Sequence, residues 1–151
     1  MLYSIIMGKR STSRRLAMQA LYQADLAKIN IHQALNNLFE QEKYIAETRK
    51  FSEELAAGAW NKKEQIDEII KKYSKDWKIE RMSGVDRNLL RLALFELMEG
   101  STPPQVIINE ALELAKKYSS EEAAKFINGV LGAYLKEIKK ISSAEPPGSE
   151  K

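Results

Sequence analysis

Hydrophobic residues recur three and four positions apart through most of the chain, from about residue 11 to residue 138. This spacing lines one side of an α-helix, and the polar and glycine-containing breaks in it predict about six or seven helices. No pair of segments shows the alternation of apolar and polar residues that is typical of strands. The pattern therefore predicts an all-α fold.

The most strongly patterned stretch covers residues 102–138 and contains two predicted helices with almost no linker. The first follows a threonine N-cap signal and two prolines, and it is apolar around most of its circumference, as buried helices are. The second begins with the capping box Ser119-x-x-Glu122. It carries Gly129 and Gly132, which weaken a helix and usually mark the close approach of another backbone. We expect this pair to form the centre of the fold.

Both ends of the chain lack helical spacing. We expect residues 1–10 to form a mobile arm, with the first helix beginning near residues 11–13. Residues 141–151 are rich in Pro, Ser and Gly, a composition typical of a disordered tail.

Between these ends, single residues mark where helices start, bend and stop. Asn30 and the pair Ser83-x-x-Asp86 are N-cap signals for two helices. Gly100 is placed to end the second of them. A long helical pattern over residues 47–73 is expected to bend near Gly58.

Length and composition exclude several classes of protein. The chain has 151 residues, of which 44% are hydrophobic and 30% charged, as expected of one globular domain. No apolar run approaches the ~20 residues of a membrane span, and the apolar residues 2–7 are too few for the core of a signal peptide. The absence of cysteine excludes disulfides and thiolate metal sites. We expect a cytoplasmic protein without a membrane partner.

The positive charge of the chain is concentrated near its N-terminus. The formal net charge is +3, and Lys9, Arg10, Arg14 and Arg15 precede the first acidic residue, Asp25. These four residues account for the whole excess of positive charge, because the other 20 of the 24 basic residues are balanced by 21 acidic residues. A local basic block on an otherwise balanced chain indicates a phosphate-bearing partner.

The residues that follow this block suggest RNA. Arg14 and Arg15 fall in the predicted first turn of the first helix, where the helix dipole disfavours cations and favours a bound anion. Gln19 and Tyr22 continue the same face, and an amide and a ring beside cations are typical of surfaces that hold unstacked RNA bases. The alternative is a solvated charged face with an ordinary surface tyrosine.

Residues that could support catalysis are few. The only histidine is His32, and the sequence contains no phosphate-binding glycine loop, metal-ligand cluster or nucleophile–base pair. The carboxylates Glu110 and Glu113 are expected to be helix caps or solvated side chains. Asn109 and Asn128 are expected to form interhelical hydrogen bonds or to cap a turn. The sequence therefore predicts neither an enzyme nor a bound cofactor.

Four motifs in order along the chain carry a family resemblance. They are Arg14-Arg15-x-Ala17-x-Gln19-x-Leu21-Tyr22-Gln23, Asp86-Arg87-x-x-Leu90-Arg91, Val106-x-Ile108-Asn109-Glu110-Ala111-x-Glu113-Leu114-Ala115-Lys116 and Phe126-Ile127-Asn128-Gly129-Val130-Leu131. Together they resemble the NusB family of transcription antitermination factors, over about residues 9–138.

The resemblance implies two packed small helical bundles, over about residues 11–75 and 76–140. It also implies binding of single-stranded boxA RNA together with the ribosomal protein NusE, in an RNA polymerase antitermination complex that reads through terminators during ribosomal RNA synthesis. The implied RNA-binding positions are Lys9, Arg10, Arg14, Arg15, Glu122 and Phe126, beside Gln19 and Tyr22 from the helix face. Tyr22 and Asp86 are implied at the NusE contact.

Two other classes of protein share parts of this description. The same helical module resembles the N-terminal RNA-binding domain of ribosomal RNA cytosine methyltransferases. Such an enzyme needs a cysteine nucleophile and a further cofactor-binding domain, and this chain offers neither the cysteine nor the length. A protein-binding helical adaptor, whose basic segment only aids solubility, is the second alternative.

Overall fold

The computed structural model of the chain describes residues 2–75 and 77–143, and the side chains of residues 10–75 and 77–142. Seven α-helices contain most of these residues, and none of them lies in a strand. The helices are α1 Leu2–Ala27, α2 Ile31–Gln41, α3 Ala46–Asn61, α4 Lys63–Ser74, α5 Gly84–Glu99, α6 Pro104–Tyr118 and α7 Glu121–Ser143. A 3₁₀ turn, Ile79–Arg81, lies in the connector between α4 and α5. The predicted all-α fold is confirmed.

The central helix of the fold is α5. Every residue from Asn88 to Glu96 is buried, and α5 packs against α1, α3, α4, α6 and α7. The prediction that the helix after residue 102 is the buried one was wrong, because α6 is buried on one side only. It exposes Val106, Asn109 and Lys116 to solvent, and its buried residues are Ile107, Ile108, Ala111 and Ala115.

The other helices pack in two groups around α5. One group is α1, α2 and α3, and in the other α6 packs with α7. α4 packs mainly against α5 and α7 and less against α3. Buried apolar side chains from both groups belong to one continuous core.

Three of the predicted capping residues are confirmed and two are displaced by one residue. The Asn30 side chain accepts from the His32 backbone N–H, Ser83 Oγ accepts from the Asp86 backbone N–H, and Gly100 ends α5 in the left-handed region with φ of 75°. α6 has Pro103 as its N-cap instead of the preceding threonine. At the start of α7, Ser120 rather than Ser119 accepts the capping hydrogen bond, from the Ala123 backbone N–H.

Two helix boundaries differ from the predicted ones in ways that affect the site. α1 begins at Leu2, so residues 2–10 are helical rather than an irregular arm, and the basic residues at 14 and 15 lie several turns inside the helix. The long pattern over residues 47–73 breaks at Lys62, between α3 and α4. Gly58 lies inside α3, one turn before this break. A glycine is needed there because a Cβ would stand 2.1 Å from the Phe95 ring.

The glycines of α7 do not admit a neighbouring backbone. A Cβ added at Gly129 or Gly132 would meet no atom within 4 Å, because both residues lie on the exposed side of the helix. The expected close approach was therefore wrong. α7 continues to Ser143, into the stretch expected to be a tail, and the rest of that stretch, residues 144–151, lies outside the described residues.

Candidate functional site

The basic residues of α1 do not form one patch. The Arg14 side chain is only 4% exposed and points into the protein, where Nε and Nη2 donate to the two carboxylate oxygens of Glu96 at 2.7 and 2.9 Å. Its Nη1 donates to Glu110 Oε1 at 3.1 Å. Burial alone would lower the pKa of Arg14, but the hydrogen bonds and charges of Glu96 and Glu110 outweigh it and raise that pKa. Arg14 therefore joins α1 to α5 and α6, and its donors are engaged by protein carboxylates.

Arg10 lies on a different side of α1 from Arg15. Its guanidinium stands 4.1 Å from the centre of the Phe51 ring, a cation–π contact with α3. It lines a hollow of about 390 Å³ together with Glu54 and Glu99. Lys9 lies in α1, but its side chain is outside the described residues. The three described cations of the predicted block, Arg10, Arg14 and Arg15, are thus divided between the interior and separate surfaces.

Arg15, Gln19 and Tyr22 do lie together, in a hollow of about 670 Å³. Arg15 Nη1 donates to the neutral Gln19 Oε1 at 3.2 Å, and the Tyr22 side chain is 39% exposed. Tyr44 and Tyr118 contribute two further rings. The remaining lining residues are Leu16, Met18, Gln23, Leu38, Gln41, Glu42 and Val85. We call this hollow the tyrosine groove.

Asp86, Glu122 and Phe126 meet in a second hollow, of about 330 Å³. Trp77, from the connector before α5, is 56% exposed, and its ring meets the Phe126 ring edge-on with centroids 6.3 Å apart. Phe126 packs partly against the core while also lining this hollow. Other lining residues are Arg81, Met82, Ser83, Ser120 and Ala123. We call this hollow the Trp77 cleft.

The Asp86 carboxylate has an unusual environment in the Trp77 cleft. Its Oδ1 is buried and has no hydrogen-bond partner in the structure. A buried acceptor without a partner costs roughly 1–3 kcal/mol, because it has lost its contact with water. A donor brought by a binding partner could recover that free energy.

The groove and the cleft adjoin along a ridge. The first turn of α5 contributes Val85 to the groove and Asp86 to the cleft, and the α6–α7 turn contributes Tyr118 to the groove and Ser120 to the cleft. Tyr22 packs over the start of α5, since a Cβ at Gly84 would lie 2.8 Å from its ring. A partner seated in either hollow would therefore lie beside one seated in the other.

A buried polar network lies beneath this ridge. The Asp25 Oδ2 atom of α1 accepts from Arg87 Nε at 2.8 Å, Asn88 Nδ2 at 3.0 Å and Arg91 Nη1 at 3.1 Å, and Arg91 also forms a two-pronged pair with Asp67 of α4. Burial would raise the pKa of Asp25, but the hydrogen bonds from Arg87 and Asn88 and the charges of both arginines outweigh it and lower that pKa. Asp25 is thus held as a carboxylate that links α1 to α5.

The sequence patterns missed several of the lining residues. Tyr44 lies in the polar break after α2, and Tyr118 is the last residue of α6, so neither belongs to a helical face that could be read from spacing. Trp77 lies in the polar connector between α4 and α5 and is 56% exposed. An aromatic residue within a polar break is the sequence signal that could have found Tyr44 and Trp77, whereas the spacing does not single out Tyr118.

Three other expectations concern residues away from the hollows. The Asn109 side chain is exposed and accepts from Gln105 one turn earlier, so it neither bridges helices nor caps a turn. Asn128 is likewise exposed. Glu110 is not a solvated carboxylate, because it accepts from Arg14 and from Ser11 Oγ.

The described residues include no cluster of three or more His, Cys, Asp or Glu side chains placed to hold a metal ion. Within the same part of the chain, no helix combines the length and the apolar character that crossing a bilayer requires.

Comparisons with known proteins agree with this architecture. The family model described as the NusB family matches residues 11–136. The transcription antitermination protein NusB of Anaeromyxobacter dehalogenans (strain 2CP-1 / ATCC BAA-258) is 41% identical over 141 residues, which cover 93% of this chain and 94% of that protein. The protein of the same name from Bacillus subtilis (strain 168) is 40% identical over 131 residues, covering 86% and 97%.

A solved structure described as the antitermination factors NusB and NusE in complex with dsRNA is also similar. It superposes with a TM-score of 0.80 at 33% identity, over 87% of this chain and 98% of the matched chain. The chain belongs to the NusB family, whose members are transcription antitermination factors and not enzymes.

Proposed function

We propose that this protein is an RNA-binding antitermination factor that binds boxA RNA together with NusE and promotes read-through during ribosomal RNA transcription. Its place of action is the cytoplasm, within an RNA polymerase antitermination complex. The observation that carries the proposal is the pairing of two unlike hollows along one ridge. The tyrosine groove offers rings and amides, and the Trp77 cleft offers carboxylates.

The tyrosine groove is the proposed site for single-stranded RNA bases. Stacking on an aromatic ring contributes roughly 1–3 kcal/mol per base, and the groove has Tyr22, Tyr44 and Tyr118. The Gln19 amide offers both a donor and an acceptor for a base edge, and Arg15 offers a cation for the adjoining phosphate. This set of side chains favours recognition of bases over simple attraction to a polyanion.

The Trp77 cleft is the proposed site for NusE. A basic side chain from that protein would bring a donor to Asp86 Oδ1, which is buried without a partner, and a positive charge between Asp86 and Glu122. Trp77 and Phe126 would pack against its aliphatic part. Tyr22, at the ridge, is placed to contact both partners.

The cations at the N-terminal end of α1 have different proposed roles. Arg10 is exposed beside Phe51 and is proposed to contact phosphate at the periphery. Lys9 is proposed for the same role from the family resemblance alone. Arg14 is assigned to the interior, because its donors are taken by Glu96 and Glu110. Glu122 and Phe126 are assigned to the cleft, although the family resemblance implies RNA contact at these two positions.

Competition binding at fixed salt tests the proposal. Labelled boxA RNA and a scrambled RNA of equal length and composition would be titrated with this protein, each with and without NusE. We expect NusE to tighten binding of both RNAs and to tighten that of boxA more, because a shared surface adds base contacts to charge attraction. Equal gains for the two RNAs would contradict the specific role and leave a general RNA-binding adaptor.

A further inference from the structure

One wall of the Trp77 cleft is made by the connector between α4 and α5. Trp77, Arg81 and Met82 of this connector line the cleft. The connector begins after Lys75, which has a positive φ of 49°. In its described residues, the one regular element is the 3₁₀ turn Ile79–Arg81. Because the connector has little regular structure, contacts from other parts of the protein must hold it in place if the cleft is to keep its shape.

The Arg87 side chain provides such a support. Its Nη1 donates to the Ile79 backbone carbonyl at 3.2 Å and to the Met82 carbonyl at 3.1 Å. Its Nε donates to Asp25 Oδ2 at 2.8 Å, and the guanidinium is 12% exposed. One side chain thus joins the connector, α5 and α1, close to Tyr22.

The position of Arg87 in the sequence of α5 makes this arrangement specific. It is the fourth residue of the helix, in the first turn, where the dipole disfavours a cation. Its contacts with Asp25 and the two carbonyls offset that cost. The fixed fork of a guanidinium can reach the carboxylate and the carbonyls at once, whereas a lysine presents a single point charge.

We propose that Arg87 is a positioning residue that holds the connector in the shape that binds the protein partner. It acts through Trp77 and Met82 and does not touch that partner. This inference rests on the proposed function for the identity of the partner, NusE, but the claim about the connector stands on the contacts above. Because apparent affinity scales with the populated fraction of the competent shape, loss of the support weakens binding without removing any contact residue.

The test compares Arg87→Gln and Arg87→Lys with a matched control, Arg91→Lys. Arg91 binds the same Asp25 carboxylate and Asp67, but it does not contact the connector carbonyls. Backbone hydrogen exchange over residues 77–83 reports on the connector directly, and it needs no ligand. NusE and boxA RNA affinities would be measured separately, at a temperature at which all variants are folded by circular dichroism.

We expect faster exchange over residues 77–83 in both Arg87 variants and not in Arg91→Lys. NusE affinity is expected to fall about tenfold in Arg87→Gln, as it would if the competent shape were populated one time in ten. RNA affinity in the absence of NusE is expected to change less. Unchanged exchange in both Arg87 variants, or equal acceleration in Arg91→Lys, would overturn the inference. Failure of the wild-type protein to bind NusE would instead overturn the proposed function and leave the exchange result to decide the role of Arg87.

Discussion

The tyrosine groove and the Trp77 cleft lie side by side but differ in chemistry. The groove has three tyrosines, three glutamine amides, one arginine and one carboxylate, Glu42, whereas the cleft has two carboxylates, one arginine and a tryptophan–phenylalanine pair. The first set suits flat bases, which stack and offer hydrogen-bonding edges, and the second suits a basic protein side chain. This difference in composition is the reason why our proposal assigns RNA to the groove and NusE to the cleft.

Neither hollow coincides with the basic block of the sequence. Of the three cations in this block whose side chains are described, only Arg15 lines the groove, while Arg14 is buried and Arg10 stacks on Phe51 elsewhere. The buried ion pair of Arg14 with Glu96 is therefore a third part of the molecule to compare with the groove and the cleft. The variants below separate these three parts, beginning with the largest expected effect.

Replacing Arg14 with Ala is expected to lower the free energy of unfolding by about 3–5 kcal/mol, because it leaves the buried Glu96 carboxylate without its partner. Urea denaturation measures this loss. Arg15→Ala is the matched control, with an expected change within about 0.5 kcal/mol for a partly exposed side chain. If Arg14→Ala kept full stability and lost only RNA affinity, Arg14 would belong to the binding surface after all.

This contrast also explains how far sequence patterns reach. The helices, the caps at Asn30, Ser83 and Gly100, and the groove residues Gln19 and Tyr22 follow from local spacing and local hydrogen bonding. The burial and pairing of Arg14 do not follow from local spacing, because its partners Glu96 and Glu110 lie more than 80 residues away in the chain. A helix that begins near residue 11, as the spacing predicts, would have both arginines at its end, whereas α1 begins at Leu2.

The choice of central helix failed for a related reason. Periodicity counts apolar side chains, and α5 is central although it carries Asn88, Arg91 and Glu96 in the interior. Each of these polar groups is satisfied by a partner on another helix or within α5. A buried polar network therefore makes a central helix look amphipathic in sequence, and only the packing reveals it.

Asp86→Asn is expected to weaken NusE binding about tenfold, which corresponds to roughly 1.4 kcal/mol, because the neutral amide loses the charge-assisted contact. The free protein should lose less than about 1 kcal/mol of stability, since Oδ1 has no partner to lose and only the favourable interaction of an anion with the first turn of α5 is removed. Binding of boxA RNA without NusE should be unaffected. Glu80→Gln, an exposed carboxylate in the connector, is the control and should leave all three measurements unchanged. Equal losses for RNA and NusE would remove the distinction between groove and cleft.

Arg15→Gln is expected to reduce RNA affinity by roughly 1 kcal/mol and to lower the slope of log affinity against log salt by about 0.7, the value for one phosphate contact on a single strand. Lys71→Gln, which removes an exposed cation from α4, should change neither quantity. Affinities measured across a salt series give both numbers. A slope that stays constant would mean that Arg15 serves bases or structure and does not contact phosphate.

The smallest effect is expected at the ridge itself, from Gly84→Ala. The new Cβ would stand 2.7 Å from Leu26 Cδ1 and 2.8 Å from Tyr22 Cε2, so both side chains must move. The Leu26 and Tyr22 side chains can move, since each is more than a third exposed and flexible at its far end. In addition, Ala is a better helix former than Gly by up to about 1 kcal/mol. Stability should therefore change little. Displacement of the Tyr22 ring is expected to reduce RNA affinity a few-fold, which is a fraction of the roughly 1–3 kcal/mol of one stacked base.

Gly129→Ala is the matched control, because its Cβ would meet nothing within 4 Å. It should raise stability by about 0.5–1 kcal/mol and leave RNA affinity constant. Should the two alanine variants bind RNA equally well, the position of the Tyr22 ring would not contribute to recognition, and the groove would have to act through Tyr44 and Tyr118 alone.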